Sequence, residues 1–146
     1  MYKLSKYLFV IIIGLCSLSL NSNASEFQSG LDAYNNKNYD LAFNILNPLS
    51  EKGDKYAQLY LGLMYEQGLG VEKDYFKAFR FFLSSAEQGI KEAQYNIGLM
   101  YSKGRGVIFN LDNAIFWYRQ AAEQNLPEAQ FNLGVHFYNG YGVEQD

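Results

Sequence analysis

The chain is poor in the residues that most protein chemistry needs. It has one cysteine, Cys16, and one histidine, His136, in 146 residues. Cys16 lies in an apolar leader segment, so the chain beyond that leader has no thiol, and packing alone must hold it. His136 has no second histidine and no cysteine to join it in a metal set, and it reads as a surface residue of a helix. Basic runs of four or more are also missing, and 12 basic residues stand against 15 acidic ones, a formal net charge of −3. An acidic surface repels phosphate, which argues against nucleic acid as a partner. The glycine pairs at 68–70, 104–106 and 140–142 are not phosphate loops: no strand precedes them and no Gly-Lys-Ser/Thr follows. Glu87/Glu123 and Glu92/Glu128 recur one period apart, as solvated helix faces do, rather than as one acid–base pair. These absences point to no catalytic residue, no metal and no cofactor.

The leader itself has three parts. Met1 to Tyr7 carries Lys3 and Lys6 and no acid, Leu8 to Leu20 is apolar or small, and Ser22-Asn23-Ala24 is small at both ends. The pattern is that of a secretory signal peptide over 1–24, cleaved after Ala24. Its apolar stretch is short for a bilayer span of about 20 residues. The expected location is periplasmic or secreted, with no membrane span after cleavage. Loss of Lys3 and Lys6 would leave ten basic residues against fifteen acidic.

What the sequence does have is a period of 36 residues. Lys55 to Ile90 and Lys91 to Leu126 match at 14 of 36 positions without a gap, and Pro127 to Asp146 repeats the start of the unit with 8 of 20 identities to the second copy. A period of this size means stacked small units that present surface rather than one closed core. Apolar residues at helical spacing (Ala57, Leu61, Met64, Tyr65) predict a first helix over about Tyr56 to Gln67. Gly68-Leu69-Gly70 stops it, and Val71 tucks the loop into the core. Asp74 and Asn110 are N-caps for a second helix, and Gly89 and Asn125 end it in the left-handed region. Along that helix Phe81, Phe82, Trp117 and Tyr118 form an aromatic stripe, at the spacing of core residues rather than a ligand cage.

Gly62, Gly98 and Gly134 fall inside the first helix of each copy, where glycine costs about 1 kcal/mol against alanine. The expectation is close approach to Ala78 or Ala114 of the second helix. Residues 25–54 read as an irregular opening hairpin: Ala42, Ile45, Leu46 and Gly53 keep the period, the turn at 35–38 is short, and Pro48 should kink or shorten its second helix. The organisation expected is therefore 1–24 signal peptide, 25–54 opening hairpin, 55–90 and 91–126 full repeats, and 127–146 an incomplete one.

The residues Ala57-Gln58, Gly62, Met64-Tyr65, Gly68, Gly70-Val71, Asp74 and Ala78, and again Ala93-Gln94, Gly98, Met100-Tyr101, Gly104, Gly106-Val107, Ala114, Trp117-Tyr118 and Ala121-Ala122, resemble Sel1-like repeats, relatives of the tetratricopeptide repeat with a longer loop. The resemblance implies an all-α, right-handed α-solenoid of antiparallel helix hairpins, following the signal-peptide helix, with its concave face lined by the first helices. It also implies an adaptor or scaffold, often exported by bacteria, that binds another protein or an extended peptide. One branch of the family is associated with β-lactams and carries a cysteine pair in each repeat. The lack of cysteine beyond Cys16 sets this chain apart from that branch. The alternatives left open are an envelope enzyme acting on β-lactam or cell-wall material, and an immunity protein that inhibits a toxin.

By analogy with tetratricopeptide geometry, the groove residues are Tyr56, Tyr60, Leu63, Glu66, Tyr95, Asn96, Leu99, Asn132 and Tyr138. Leu59, Glu92, Ser102, Glu128, Phe131 and Val135 are further outward positions. Asn96 and Asn132 carry amides able to hold a peptide backbone, since an amide both donates and accepts. Some tetratricopeptide proteins place lysines near that position to grip a C-terminal carboxylate. Here Glu92 and Glu128 stand nearby, which favours a basic or neutral ligand. Asp146 occupies the cap position of a further helix, so one side of Leu133 and Phe137 should be uncovered. The end then folds back onto Trp117, pairs with a second copy as a homodimer, or is frayed by truncation.

Overall fold

The computed structural model describes residues 24–138 and 140. The expected signal peptide, 1–24, falls outside them except for Ala24, as does the cap position at Asp146. Among the described residues there are seven helices and no strand: α1 (24–35), α2 (Tyr39–Glu51), α3 (Lys55–Gln67), α4 (Tyr75–Glu87), α5 (Lys91–Lys103), α6 (Leu111–Glu123) and α7 (Pro127–Tyr138). Helices α2 to α7 each pack chiefly on their neighbours in the chain, as expected of a linear array.

The caps form where the residue types predict. The Asp74 carboxylate accepts from the Lys77 amide at 3.0 Å, and the Asn110 side chain accepts from the Asn113 amide at 2.9 Å. Each bond satisfies a donor that the first turn otherwise leaves unpaired. Gly89 and Asn125 follow the second helices with φ of +85° and +60°, and the next amides, of Ile90 and Leu126, reach back to Ser85 and Ala121. Asparagine tolerates this region better than most side chains.

The core is built in overlapping sections. One cluster joins Ala33 of α1, Ala42, Leu46 and Leu49 of α2, and Ala57, Leu61 and Met64 of α3. The next joins Leu59 of α3, Phe82 and Ala86 of α4, and Ala93, Ile97 and Met100 of α5. Val71 and Val107 pack against these clusters from the loops. Phe82 and Tyr118 are almost fully buried. The stripe they belong to is therefore largely core, with Phe81 and Trp117 half-buried at its edge.

Three expectations change. The glycines inside the first helices face aromatic rings more than alanines. A Cβ on Gly62 would stand 2.5 Å from the Phe82 ring, and one on Gly98 would stand 2.6 Å from the Tyr118 ring, with the Ala114 carbonyl at 3.2 Å. Gly134 has nothing within 4 Å of that place, so close approach explains two of the three. Pro48 does not shorten α2, which has 13 residues like α3 to α6. Proline removes the helical donor to Asn44, but Asn44 and Pro48 are both exposed, so water can serve that carbonyl. Leu59 points into the core, at 8% exposure, because the second cluster extends from α3 to α5 beneath it.

The loop glycines have a role beyond the turn. Gly106, at φ +68°, presses on the backbone of Tyr75 and Phe76, and Gly70 presses on that of Tyr39. Each loop thus seats on the start of the preceding unit's second helix, where no side chain fits.

Candidate functional site

Glutamines at one position per unit, Gln58 and Gln94 buried and Gln130 exposed, fix how the units stack, and so where the first-helix face lies. Gln58 donates from Nε2 to the Ser50 carbonyl at 3.3 Å, Gln94 to the Ala86 carbonyl at 3.2 Å, and Gln130 to the Ala122 carbonyl at 3.3 Å. Each ties a first helix to the last turn of the second helix before it. The Oε1 atoms of Gln58 and Gln94 in turn accept from Nε2 of Gln88 and Gln124, both at 2.8 Å. Ser85 adds a bond to the Lys55 carbonyl at 2.8 Å. No buried side-chain nitrogen or oxygen among the described residues is left without a partner, as a stable polar seam requires. Sequence reasoning placed Gln58 and Gln94 in the repeat motif but gave them no bonding role. Their recurrence at one position per unit was the available signal.

On the face so formed, Tyr60, Leu63, Tyr95 and Asn96 come together with Leu59, Glu92, Leu126 and Glu128 around a cavity of 350 Å³. Tyr60 is braced edge-on by Tyr34, with ring centres 5.0 Å apart, and by Phe27 at 6.0 Å. The opening hairpin therefore sets the wall of this cavity. Glu92 and Glu128 are exposed, so their carboxylates stay hydrated and make the mouth acidic. Asn96 is half-buried and makes no side-chain hydrogen bond with the other described residues.

The remaining groove positions are dispersed. Asn132 and Tyr95 meet at a neighbouring depression of 450 Å³ with Pro127, Glu128 and Phe131. There the Asn132 amide is already engaged, donating to the Tyr95 hydroxyl at 3.2 Å. Tyr138, 92% exposed, sits further along α7 with Phe131 and Val135. Tyr56 lies on the other side, packed on Phe27 at 5.8 Å and beside Lys91 and Gln124. Glu66, Leu99 and Ser102 line none of these hollows, and Ser102 turns inward to share a 3.1 Å hydrogen bond with the Tyr118 hydroxyl.

Below the groove, burial pushes the Tyr118 hydroxyl above its ordinary range, partly offset by its bond to Ser102. His136 is not the plain surface residue expected. It is half-buried, its ring lies 5.6 Å from that of Tyr118, and Nδ1 stands 2.7 Å from the Asn132 carbonyl. Among the described residues no group of three histidine, cysteine or acidic side chains is placed to hold a metal. None of the described helices is long and apolar enough to cross a membrane.

On the other side of α3 and α4 lies a hollow that sequence reasoning did not anticipate. Tyr65, Lys77, Arg80, Phe81 and Ser84 line 270 Å³. Tyr65 and Phe81 stack face to face, 5.6 Å apart and 7° from parallel, and the Lys77 ammonium stands 5.1 Å from the Tyr65 ring centre.

Short hairpins that pack on their chain neighbours, joined by a glutamine seam at a 36-residue interval, define an all-α solenoid. The chain belongs to the Sel1 repeat family, whose model matches residues 55–90, 91–126 and 127–146. Sel1-repeat proteins generally mediate protein–protein interaction, and their fold is typically a non-catalytic scaffold. A Sel1 repeat protein from Oxalobacter formigenes is 38% identical, with a TM-score of 0.77 over 82% of this chain and 49% of its own. A protective antigen of uropathogenic Escherichia coli strains, described as displaying an SLR fold, is 32% identical, with a TM-score of 0.80 over 86% of this chain and 28% of its own. The chain thus spans about half the length of the first and less than a third of the second. Cysteine rich protein B of Helicobacter pylori shares the fold at 19% identity and a TM-score of 0.61. No curated protein matches the chain.

Proposed function

We propose that this protein is an exported, non-catalytic scaffold that holds a segment of another protein on its first-helix face. The observation that carries this reading is the 350 Å³ cavity between α3 and α5, where Tyr60, Leu63 and Tyr95 offer apolar area and Asn96 offers an unengaged amide. A peptide laid there buries its side chain against rings and finds one donor and one acceptor for its backbone. The acidic mouth at Glu92 and Glu128 selects for a basic or neutral segment and against a free carboxylate. Export rests on the leader over 1–24, with its Lys3/Lys6 start and Ser22-Asn23-Ala24 end. The test is capture from a bacterial envelope extract with the tagged protein as bait, beside the Leu63→Asp and Asn96→Ala variants. Partners held by the parent and lost by both variants support the groove. Equal capture by all three places binding elsewhere.

A further inference from the structure

The hollow between α3 and α4 breaks the period that the rest of the fold obeys. Tyr65 and Phe81 have aromatic counterparts in the next unit, Tyr101 and Trp117. The residues around them do not repeat. Lys77, Arg80 and Ser84 correspond to Asn113, Phe116 and Gln120 in the next unit, and to Leu41, Asn44 and Pro48 in the opening hairpin. In the next unit Phe116 packs edge-on against Trp117, with ring centres 5.2 Å apart, and takes the place that Arg80 has here. The solenoid therefore does not need two cations at this site, since the same framework is built twice without them.

The hollow has a charged side and an apolar wall. Lys77, Arg80, Phe81 and Ser84 stand at spacings of three, four and seven along α4, so they share one face. Lys77 is loosely tied to Asp74, at 3.7 Å, with the lysine exposed and the aspartate half-buried, which leaves the pair little net hold on the ammonium. Arg80 is exposed and makes no side-chain bond with the other described residues. Its planar guanidinium suits the two oxygens of a carboxylate. The wall beside it is the stacked pair Tyr65–Phe81, backed by Phe43 at 6.1 Å from Tyr65. A bare anion would leave that wall wet. A volume of 270 Å³ accommodates an acidic side chain together with part of a neighbouring apolar one.

We propose that this hollow is a second binding site, which takes an aspartate or glutamate of a protein partner with an adjacent aromatic or aliphatic residue laid on Tyr65 and Phe81. It lies apart from the groove and is opposite in charge, so it reads a different part of a partner.

The test uses three probes on the isotope-labelled protein, followed by NMR: the acetylated, amidated peptide Phe-Asp-Glu-Phe, its neutral counterpart Phe-Asn-Gln-Phe, and inorganic phosphate. The acidic peptide should shift the signals of Arg80, Phe81 and Ser84 saturably, and its affinity should fall with salt. Arg80→Gln should weaken it roughly tenfold, the loss of one charge-assisted contact, while Arg119→Gln on α6 should leave it unchanged. Both residues are exposed, so both variants should keep the parent's spectrum elsewhere. No saturable shift with the acidic peptide, equal binding of the neutral one, or an unchanged affinity in Arg80→Gln would each overturn the proposal. Phosphate that matches the acidic peptide at the same residues would also overturn it, since the site would then read charge alone.

Discussion

Hairpins α3–α4 and α5–α6 are the same object built twice, and their differences separate framework from use. Both place a glycine under an aromatic ring, Gly62 under Phe82 and Gly98 under Tyr118. Both seat a loop glycine on the preceding second helix, Gly70 on Tyr39 and Gly106 on Tyr75. Both close with a glutamine pair at 2.8 Å. Outside this framework they diverge. The first carries Lys77 and Arg80 around its stacked rings, and the second covers the same place with Phe116. The shared glycine contacts and glutamine pairs hold the stack together, and the cations particular to the first hairpin are free to recognise something.

The largest expected effect falls on the framework. Gly62→Ala and Gly98→Ala each push a methyl into a ring, and overpacking of this kind costs typically 1–3 kcal/mol. Gly134→Ala, in open space, should instead stabilise by about 1 kcal/mol through helix propensity. Urea midpoints of the three variants check this. Equal losses at all three positions would mean the glycines serve something other than ring contact.

Next comes the glutamine seam. Gln58→Ala and Gln94→Ala each remove hydrogen bonds across the joint between units, while the partner amides stay exposed to water and the carbonyls keep a backbone donor, at a cost of about 0.5–1.5 kcal/mol per bond. The loss should be larger at Gln94, because the Gln88 amide also donates to the Gly53 and Ser84 carbonyls and keeps those acceptors without Gln58, whereas the Gln124 amide has only Gln94 among the described residues. Equal losses by thermal unfolding would show that these extra bonds carry no weight.

The smallest effect is the most telling. Exchanging the first hairpin's cations for the second's residues, Lys77→Asn with Arg80→Phe, should change stability by no more than about 0.5 kcal/mol, the usual range for exposed sites. A large loss would make these cations part of the framework and remove the reason to treat their departure from the period as functional.

The fold was legible because each signal had a local cause. Capping oxygens at Asp74 and Asn110, stops at Gly89 and Asn125, and the 36-residue period all act within one unit or between adjacent copies. What escaped were effects that need the third dimension. Gly62 reads as a gap, but only packing shows that the Phe82 ring fills it rather than Ala78. Gly30, buried in α1, meets Leu46 in the same way, 2.7 Å from where its Cβ would be. The shorter turn of the opening hairpin shifts it off the period, which hid the match. Of the groove positions, Tyr60, Leu63, Tyr95 and Asn96 converge on one cavity. Asn132 is spent on Tyr95 and Tyr138 stands well along α7, because helix-face analogy gives direction and not which side chains pair off. The cationic hollow was missed because a search for repetition passes over residues that do not repeat.

The central claim is that the first-helix face is a recognition surface, held in place by the glycine contacts and the glutamine seam. The most direct measurement is quantitative capture from envelope extract by the parent protein and by Asn96→Ala, a change at a half-buried amide that no framework bond uses. Loss of a specific captured protein, with the unfolding temperature of the bait unchanged, is the result predicted. Undiminished capture of every partner by a fully folded Asn96→Ala and by Leu63→Asp would contradict it.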